Sequence, residues 1–287
     1  MTEITAWFSP AKINLFLHIT GQREDSYHEL QTAFQFLDYC DTLSFEVTRS
    51  PNIQLLNEIE GVLHNDNLIV RAAKALQSRH NIKQGVKISL DKRLPMGGGL
   101  GGGSSNAATV LVALNSLWQC GLSRSELAQI GLTLGADVPV FIHGHAAWAE
   151  GIGEKLTDIT PDELWYIVIV PNCHVSTAKV FSHPQLTRNC KSMTMSGFLS
   201  GEGVNACEAV VVRDYPPVSK AIDWLVSKNT SPRMTGTGSC VFAEVNSQVN
   251  AQQLVNTLPS DWQGFVAKGC NLSPLYNKNK KILTAKC

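Results

Sequence analysis

Aliphatic residues recur at every second position over residues 13–19, where Ile13, Leu15, Leu17 and Ile19 alternate with Asn14, Phe16 and His18. A period of two predicts a strand with two distinct faces. Gly21 and the polar run to Ser26 predict the turn that ends it. After Asp66 the period changes: Leu68, Ile69, Ala72, Ala73 and Leu76 recur at helical spacing, with Asn65 or Asp66 placed to cap. Val86, Ile88 and Leu90 alternate with Lys87, Ser89 and Asp91 in a second strand that runs into a glycine-dense stretch. Ala107, Ala108, Leu111, Leu114 and Trp118 then share one helical face, and Gly121 suits the stop. Ser123 and Glu126 have capping-box spacing for a further helix ending near Gly135. Residues 165–170 read as a buried strand, 232–245 as strand, glycine turn and strand, and 251–258 as a helix. The polar segment 185–203 reads as a boundary loop, and the basic tail 277–281 as frayed. Strands and helices mix without regular βαβ alternation, which predicts an α+β fold rather than a doubly wound sheet.

Composition narrows the function classes. A chain of 287 residues with 44% hydrophobic positions can build a sizeable core as one large or two modest domains, which excludes disorder. Its 24 basic and 24 acidic residues balance, so the bulk positive field of a nucleic-acid binder is missing. A local site for a small anion remains open. None of the eight cysteines has CxxC spacing, which excludes a zinc ribbon or a thioredoxin motif and predicts reduced, buried thiols. The first residues show no basic region followed by an apolar run, and no apolar run approaches the ~18 residues that span a bilayer. The expectation is a cytoplasmic protein with no membrane partner.

The glycine-dense stretch carries the strongest chemistry. Pro95, Met96, Gly97, Gly98, Gly99, Leu100, Gly101, Gly102, Gly103, Ser104 and Ser105 join a strand to a helix that Ser104, Ser105 and Asn106 open. Glycine costs ~0.5–1 kcal/mol relative to alanine in regular structure, so its density here needs a reason. Bare N–H groups curling toward a helix start make a site for phosphate. The bland alternative is a flexible surface turn, which rarely sits between a clean strand and a clean helix. A Walker loop would end in Gly-Lys-Ser/Thr, and no lysine is present. A dinucleotide fingerprint would need GxGxxG and an acid ~20 residues on, and residues 119–123 hold none. HRD and DFG motifs of protein kinases are also missing.

The string PMGGGLGGGSSNAA at residues 95–108 resembles the phosphate-binding motif of the GHMP kinases. Residues 9–15, SPAKINL, resemble the first motif of that superfamily, and residues 234–240, MTGTGSC, its third. Longer matches at residues 9–43, 66–73, 135–154 and 266–275 resemble the branch that phosphorylates the 2-hydroxyl of a cytidyl-diphosphate-linked methylerythritol, on the methylerythritol phosphate route to isoprenoid precursors. Residues 183–232 match loosely. The resemblance implies a two-lobed fold: an ATP-binding lobe over residues 1–160, similar to the second domain of ribosomal protein S5, and a ferredoxin-like lobe over residues 161–287. The active site would lie in the cleft between them. It implies ATP and Mg²⁺ as cofactors and a small cytidyl diphosphate substrate, and it leaves room for a homodimer.

Single residues follow from the same resemblance. Asp137 would act as general base; on position alone it could instead cap a turn before Pro139. Lys12, otherwise a snorkelling edge lysine, would sit beside Asp137 and favour its ionised form. Tyr27 and His28, otherwise an ordinary turn-to-strand junction, would bind the cytosine, with Asn14 and Thr177 also on the substrate. Asn67 would belong to the adenine pocket, although it could equally cap a helix. No motif assigns the Mg²⁺ ligand; Ser104 or Ser105 is the candidate. Arg188 and Lys191 read as solvated charges. Two rivals remain: another GHMP-type kinase acting on mevalonate, homoserine or a sugar, and a catalytically silent nucleotide-binding regulator.

Overall fold

The computed structural model describes residues 5–25, 27–57 and 59–277. The first half contains β1 (Thr5–Gln22), β2 (His28–Thr48), β3 (Ile53–Leu55), α1 (Leu68–Arg79) and β4 (Gly85–Asp91). It continues through α2 (Gly102–Leu117), α3 (Arg124–Leu132), α4 (Val138–His143), β5 (Ala147–Gly151) and β6 (Lys155–Asp158). The second half contains β7 (Trp165–Val170), α5 (Thr177–Phe181), α6 (Met195–Leu199), α7 (Glu208–Asp214) and α8 (Pro216–Ser227). After these come β8 (Arg233–Met234), β9 (Val241–Val245), α9 (Gln248–Asn256), β10 (Gln263–Cys270) and α10 (Pro274–Asn277).

The long strand β2 organises the sheet. It pairs antiparallel with β1 along its length, with β5 at Leu30–Phe34, with β10 at Phe36–Leu37 and with β4 from Thr42 to Thr48. Among the described strand pairs, only β3 and β4 run parallel. The contact with β10 joins the two halves, because β10 continues into β7, β9 and β8. The result is the expected α+β architecture: β3, α1 and β4 form one βαβ unit, and the other described strand pairs run antiparallel.

Three apolar clusters hold these layers. One packs Phe34, Phe36, Leu43 and Phe45 under α1 to α4. A second packs Ile167, Ile169, Val241 and Ala243 under α7 and α8. The third, with Ile13, Leu15, Leu100, Tyr166 and Phe242, lies between the halves. β1 was expected to show two different faces, and instead residues 9–17 are buried throughout. Register shifts between Pro10 and Lys12 and between Asn14 and Phe16 rotate the strand within its covered position. Polar residues can survive there only with partners.

Other boundaries differ for local reasons. Asn65 and Asp66 belong to a 3₁₀ turn, so the extended residue that precedes α1 is Asn67, whose side chain accepts the Ile69 N–H at 2.9 Å. α2 opens at Gly102, ahead of the three residues predicted to open it, because Gly101 at φ 72° is the last non-helical residue. The capping box at Ser123 and Glu126 is present as predicted. The segment 185–203 is tied down rather than acting as a linker: the Cys190 N–H donates to Ile19 O at 2.9 Å and the Met193 N–H to Gln31 Oε1 at 2.8 Å. Residues 278–281 of the predicted frayed tail lie outside the described residues. Among the described residues, no helix is long and apolar enough to cross a membrane.

Candidate active site

The glycine stretch leaves β4 under the grip of a buried acid. Asp41, fully buried on β2, accepts the N–H groups of Arg93 and Leu94 at 2.7 Å each and Lys92 Nζ at 2.9 Å. The loop is then fastened to β1 at Lys12, whose backbone N–H donates to Leu100 O at 3.0 Å and whose ammonium donates to Gly99 O at 3.0 Å. The glycine turn between β8 and β9 closes the other side. The Cys240 N–H donates to Gly98 O at 3.1 Å, and Thr235 Oγ1 donates to Gly99 O at 3.2 Å. This approach explains one glycine directly: at Gly99, φ is 75° and a Cβ would stand 2.1 Å from Thr235 O. Burial first, and the neighbouring Cys173 second, push the Cys240 thiol up to about 12, so this thiol under the loop is an inert packing group.

Lys12 is the centre of the polar cluster. Its side chain is 3% exposed, and its ammonium reaches Asn14 Oδ1 at 2.6 Å, Gly99 O at 3.0 Å and Asp137 Oδ2 at 3.3 Å. Three donors meet three acceptors, which is what burial of an ammonium requires. Asn14 is oriented in turn, since its Nδ2 donates to Thr32 Oγ1 at 2.9 Å and its N–H donates to Thr235 Oγ1 at 3.0 Å. Asp137 sits at the N-cap position of α4 but makes no capping bond with its side chain. Its carboxylate turns to Lys12 and keeps 37% exposure.

All of this faces one cavity of about 1110 Å³. Lys12, Asn14, Tyr27, His28, Asn67, Asp137 and Thr177 line it, as does the whole run from Pro95 to Ser104. Ser105 does not. It is fully buried and its hydroxyl accepts from Ser9 Oγ at 2.8 Å, so it supports the loop from beneath. Thr177 Oγ1 lies 2.9 Å from Thr237 Oγ1 of the glycine turn. Asn67 both caps α1 and lines the cavity. Tyr27 is 58% exposed at the cavity wall. His28 is buried, stacks on Phe181 at 5.0 Å between ring centroids, and accepts the Arg188 Nε–H on Nε2 at 3.1 Å.

Family models match both halves: the GHMP kinases N terminal domain over residues 67–145 and the GHMP kinases C terminal over residues 183–264. The 4-diphosphocytidyl-2-C-methyl-D-erythritol kinase of Shewanella putrefaciens is 58% identical over 95% of this chain and 96% of its own. The chain belongs to that kinase family. A solved 4-(cytidine 5'-diphospho)-2C-methyl-D-erythritol kinase superposes with a TM-score of 0.80 at 30% identity, covering 92% of this chain and 99% of its own. A mevalonate kinase at 17% identity and a TM-score of 0.67, covering 93% of this chain and 99% of its own, shares the fold.

For a member of this family, the sequence reading missed three cavity residues. Arg188 is no solvated charge: it lines the cavity and binds His28. The signal against that reading was weak, because a lone arginine in a polar segment looks like any surface arginine. Phe181 lies just ahead of the loosely matching segment and carried no motif. Lys92 precedes the loop and lines the cavity while it pairs with Asp41; flanked by Asp91 and Arg93, it stood in a charged run with no motif.

Proposed function

We propose that this kinase transfers the γ-phosphoryl group of ATP to the 2-hydroxyl of 4-diphosphocytidyl-2-C-methyl-D-erythritol, in the methylerythritol phosphate route to isoprenoid precursors. The observation that carries the reading is the Lys12–Asp137 pair at 3.3 Å, set in the wall of the same cavity as the glycine loop. The volume of about 1110 Å³ suits two ligands of nucleotide size side by side.

Phosphoryl transfer depends on positioning and charge neutralisation more than on covalent chemistry. The loop N–H groups and the N-terminus of α2 receive the triphosphate. The Lys12 ammonium compensates negative charge that gathers between hydroxyl and phosphate, and it holds the Asp137 carboxylate in place at 3.3 Å. Asp137, half open to the cavity, orients the substrate hydroxyl and takes its proton as the new P–O bond forms.

Mg²⁺ prefers oxygen donors and keeps one or two protein ligands beside the phosphates. Ser104 opens to the cavity against Gly135, two residues from Asp137, so its hydroxyl and the Asp137 carboxylate suit that donor set. They would hold an ion that neutralises the phosphate oxygens.

Tyr27 and Phe181 offer aromatic faces and His28 a polar edge, a combination that suits a flat nucleobase. This favours the cytidyl substrate over mevalonate, homoserine or a sugar, none of which carries a base. The test is ADP release in a coupled assay across cytidyl and non-cytidyl alcohols. Turnover confined to cytidyl compounds supports the reading. Equal turnover of simple alcohols would move the chain to another GHMP activity, and no turnover at all would favour a silent nucleotide-binding protein.

A further inference from the structure

Arg188 spends its donors on a single task. Nη1 donates to Leu186 O at 3.2 Å, Nη2 donates to Phe181 O at 2.8 Å and to His183 O at 3.0 Å, and Nε donates to His28 Nε2 at 3.1 Å. A guanidinium has no acceptor atom, so the contact with His28 has only one sense. Nε2 must be bare, and a neutral imidazole then carries its proton on Nδ1. Nδ1 has no partner among the described residues, and the ring lines the cavity. The same guanidinium holds the carbonyl of Phe181, whose ring stacks on His28 with 30° between planes. One cation therefore fixes the tautomer of the imidazole and the backbone of the residue that fixes its plane.

We infer that Arg188 is a positioning residue that makes His28 an obligate Nδ1–H donor and thereby sets the preference of the site for cytosine over uracil. The inference rests on the cytidyl reading above. Cytosine presents a lone pair at N3, whereas uracil presents an N–H there. A fixed donor pairs with the first and meets a second donor in the other, leaving both N–H groups unsatisfied. Without Arg188 the imidazole is free to exchange tautomers and accept from uracil, so the distinction fades. Sites built around a hydrogen bond reject the mismatched analogue far more strongly than sites built on shape alone.

The experiment uses the full chain and two readouts. The first is the ratio of kcat/KM for the cytidyl substrate to that for its uridyl analogue, in the parent and in Arg188→Met. The second is the ¹⁵N-imidazole NMR spectrum of His28 near neutral pH. The expected ratio falls by about tenfold to a hundredfold in Arg188→Met. That fall should come mainly through a lower KM for the uridyl analogue and not through KM for ATP. The parent spectrum should show a protonated Nδ1 and a bare Nε2. An unchanged ratio in the variant overturns the inference, as does a loss shared equally with ATP. If Arg188→Met does not fold, the parent spectrum decides alone, and an Nε2–H tautomer overturns the inference. A parent enzyme indifferent to the base would instead defeat the cytidyl reading and leave the Arg188–His28 geometry as a structural contact.

Discussion

Lys12 Nζ stands 3.3 Å from Asp137 Oδ2, and the two partners differ sharply in exposure: 3% for the lysine side chain and 37% for the aspartate. The cation is therefore a fixed part of the wall, while the carboxylate keeps a free side for a ligand. Lys12 is also bonded to Gly99 O, so the same ammonium ties the candidate base to the phosphate loop.

Replacing Asp137 by Asn keeps the shape and removes the proton acceptor. The expected kcat falls by about 10²–10⁴ with ATP affinity retained. Steady-state kinetics with calorimetric ATP titration checks this; a rate close to that of the parent removes Asp137 from the chemistry.

Gly101 adopts φ 72°, and a Cβ there would lie 2.8 Å from the Phe141 ring and 3.2 Å from Lys12 Cε. Gly101→Val should therefore lower stability by about 2–4 kcal/mol in addition to disturbing ATP binding. The midpoint of urea unfolding reads the first effect and KM for ATP the second. A native midpoint would mean that the loop can relax around the added side chain.

Desolvation, and after it the charge of Arg188, lower the pKa of His28 below its ordinary 6.5. The sign follows from proton counting: as pH falls through the ordinary value, the unfolded chain takes up a proton that the folded chain resists. Stability from neutral His28 is fully present above 6.5 and is lost as pH falls through the lower folded value. KM for the cytidyl substrate should stay flat from pH 8 down to the ordinary histidine value and rise only below it. A break above 6.5 would contradict the lowered pKa.

Ser123 accepts the Glu126 N–H at the start of α3, and α3 packs on α4, which carries Asp137 at its head. Ser123→Ala should cost about 1 kcal/mol. For a chain of this size that lowers Tm by roughly 2–4 °C. Calorimetry checks the shift, and kcat/KM should not change, because no group in the cavity moves.

Local chemistry was legible wherever it depends on neighbours in the chain. Period-two and helical spacing marked β1, β4, α1 and α2, a continuous apolar run marked β7, and Ser123 with Glu126 marked the cap of α3. The density of glycine marked an anion loop, because few other pressures collect that residue between a strand and a helix. Asp137, Lys12, Tyr27 and His28 became candidates through motif resemblance rather than through periodicity, which gave each an ordinary structural alternative.

What the chain by itself determined was thus part of its elements, its glycine-rich loop and its family. Only the tertiary structure decided that Lys12 bridges Asp137 and Gly99, that Ser105 faces inward to Ser9, and that Arg188 leaves the solvent to hold His28. The reason is physical. Hydrogen bonds between distant segments depend on strand register and on which face of a buried layer a side chain meets. In β1 three register shifts and burial on both faces break the link between the sequence alternation and which face each side chain meets.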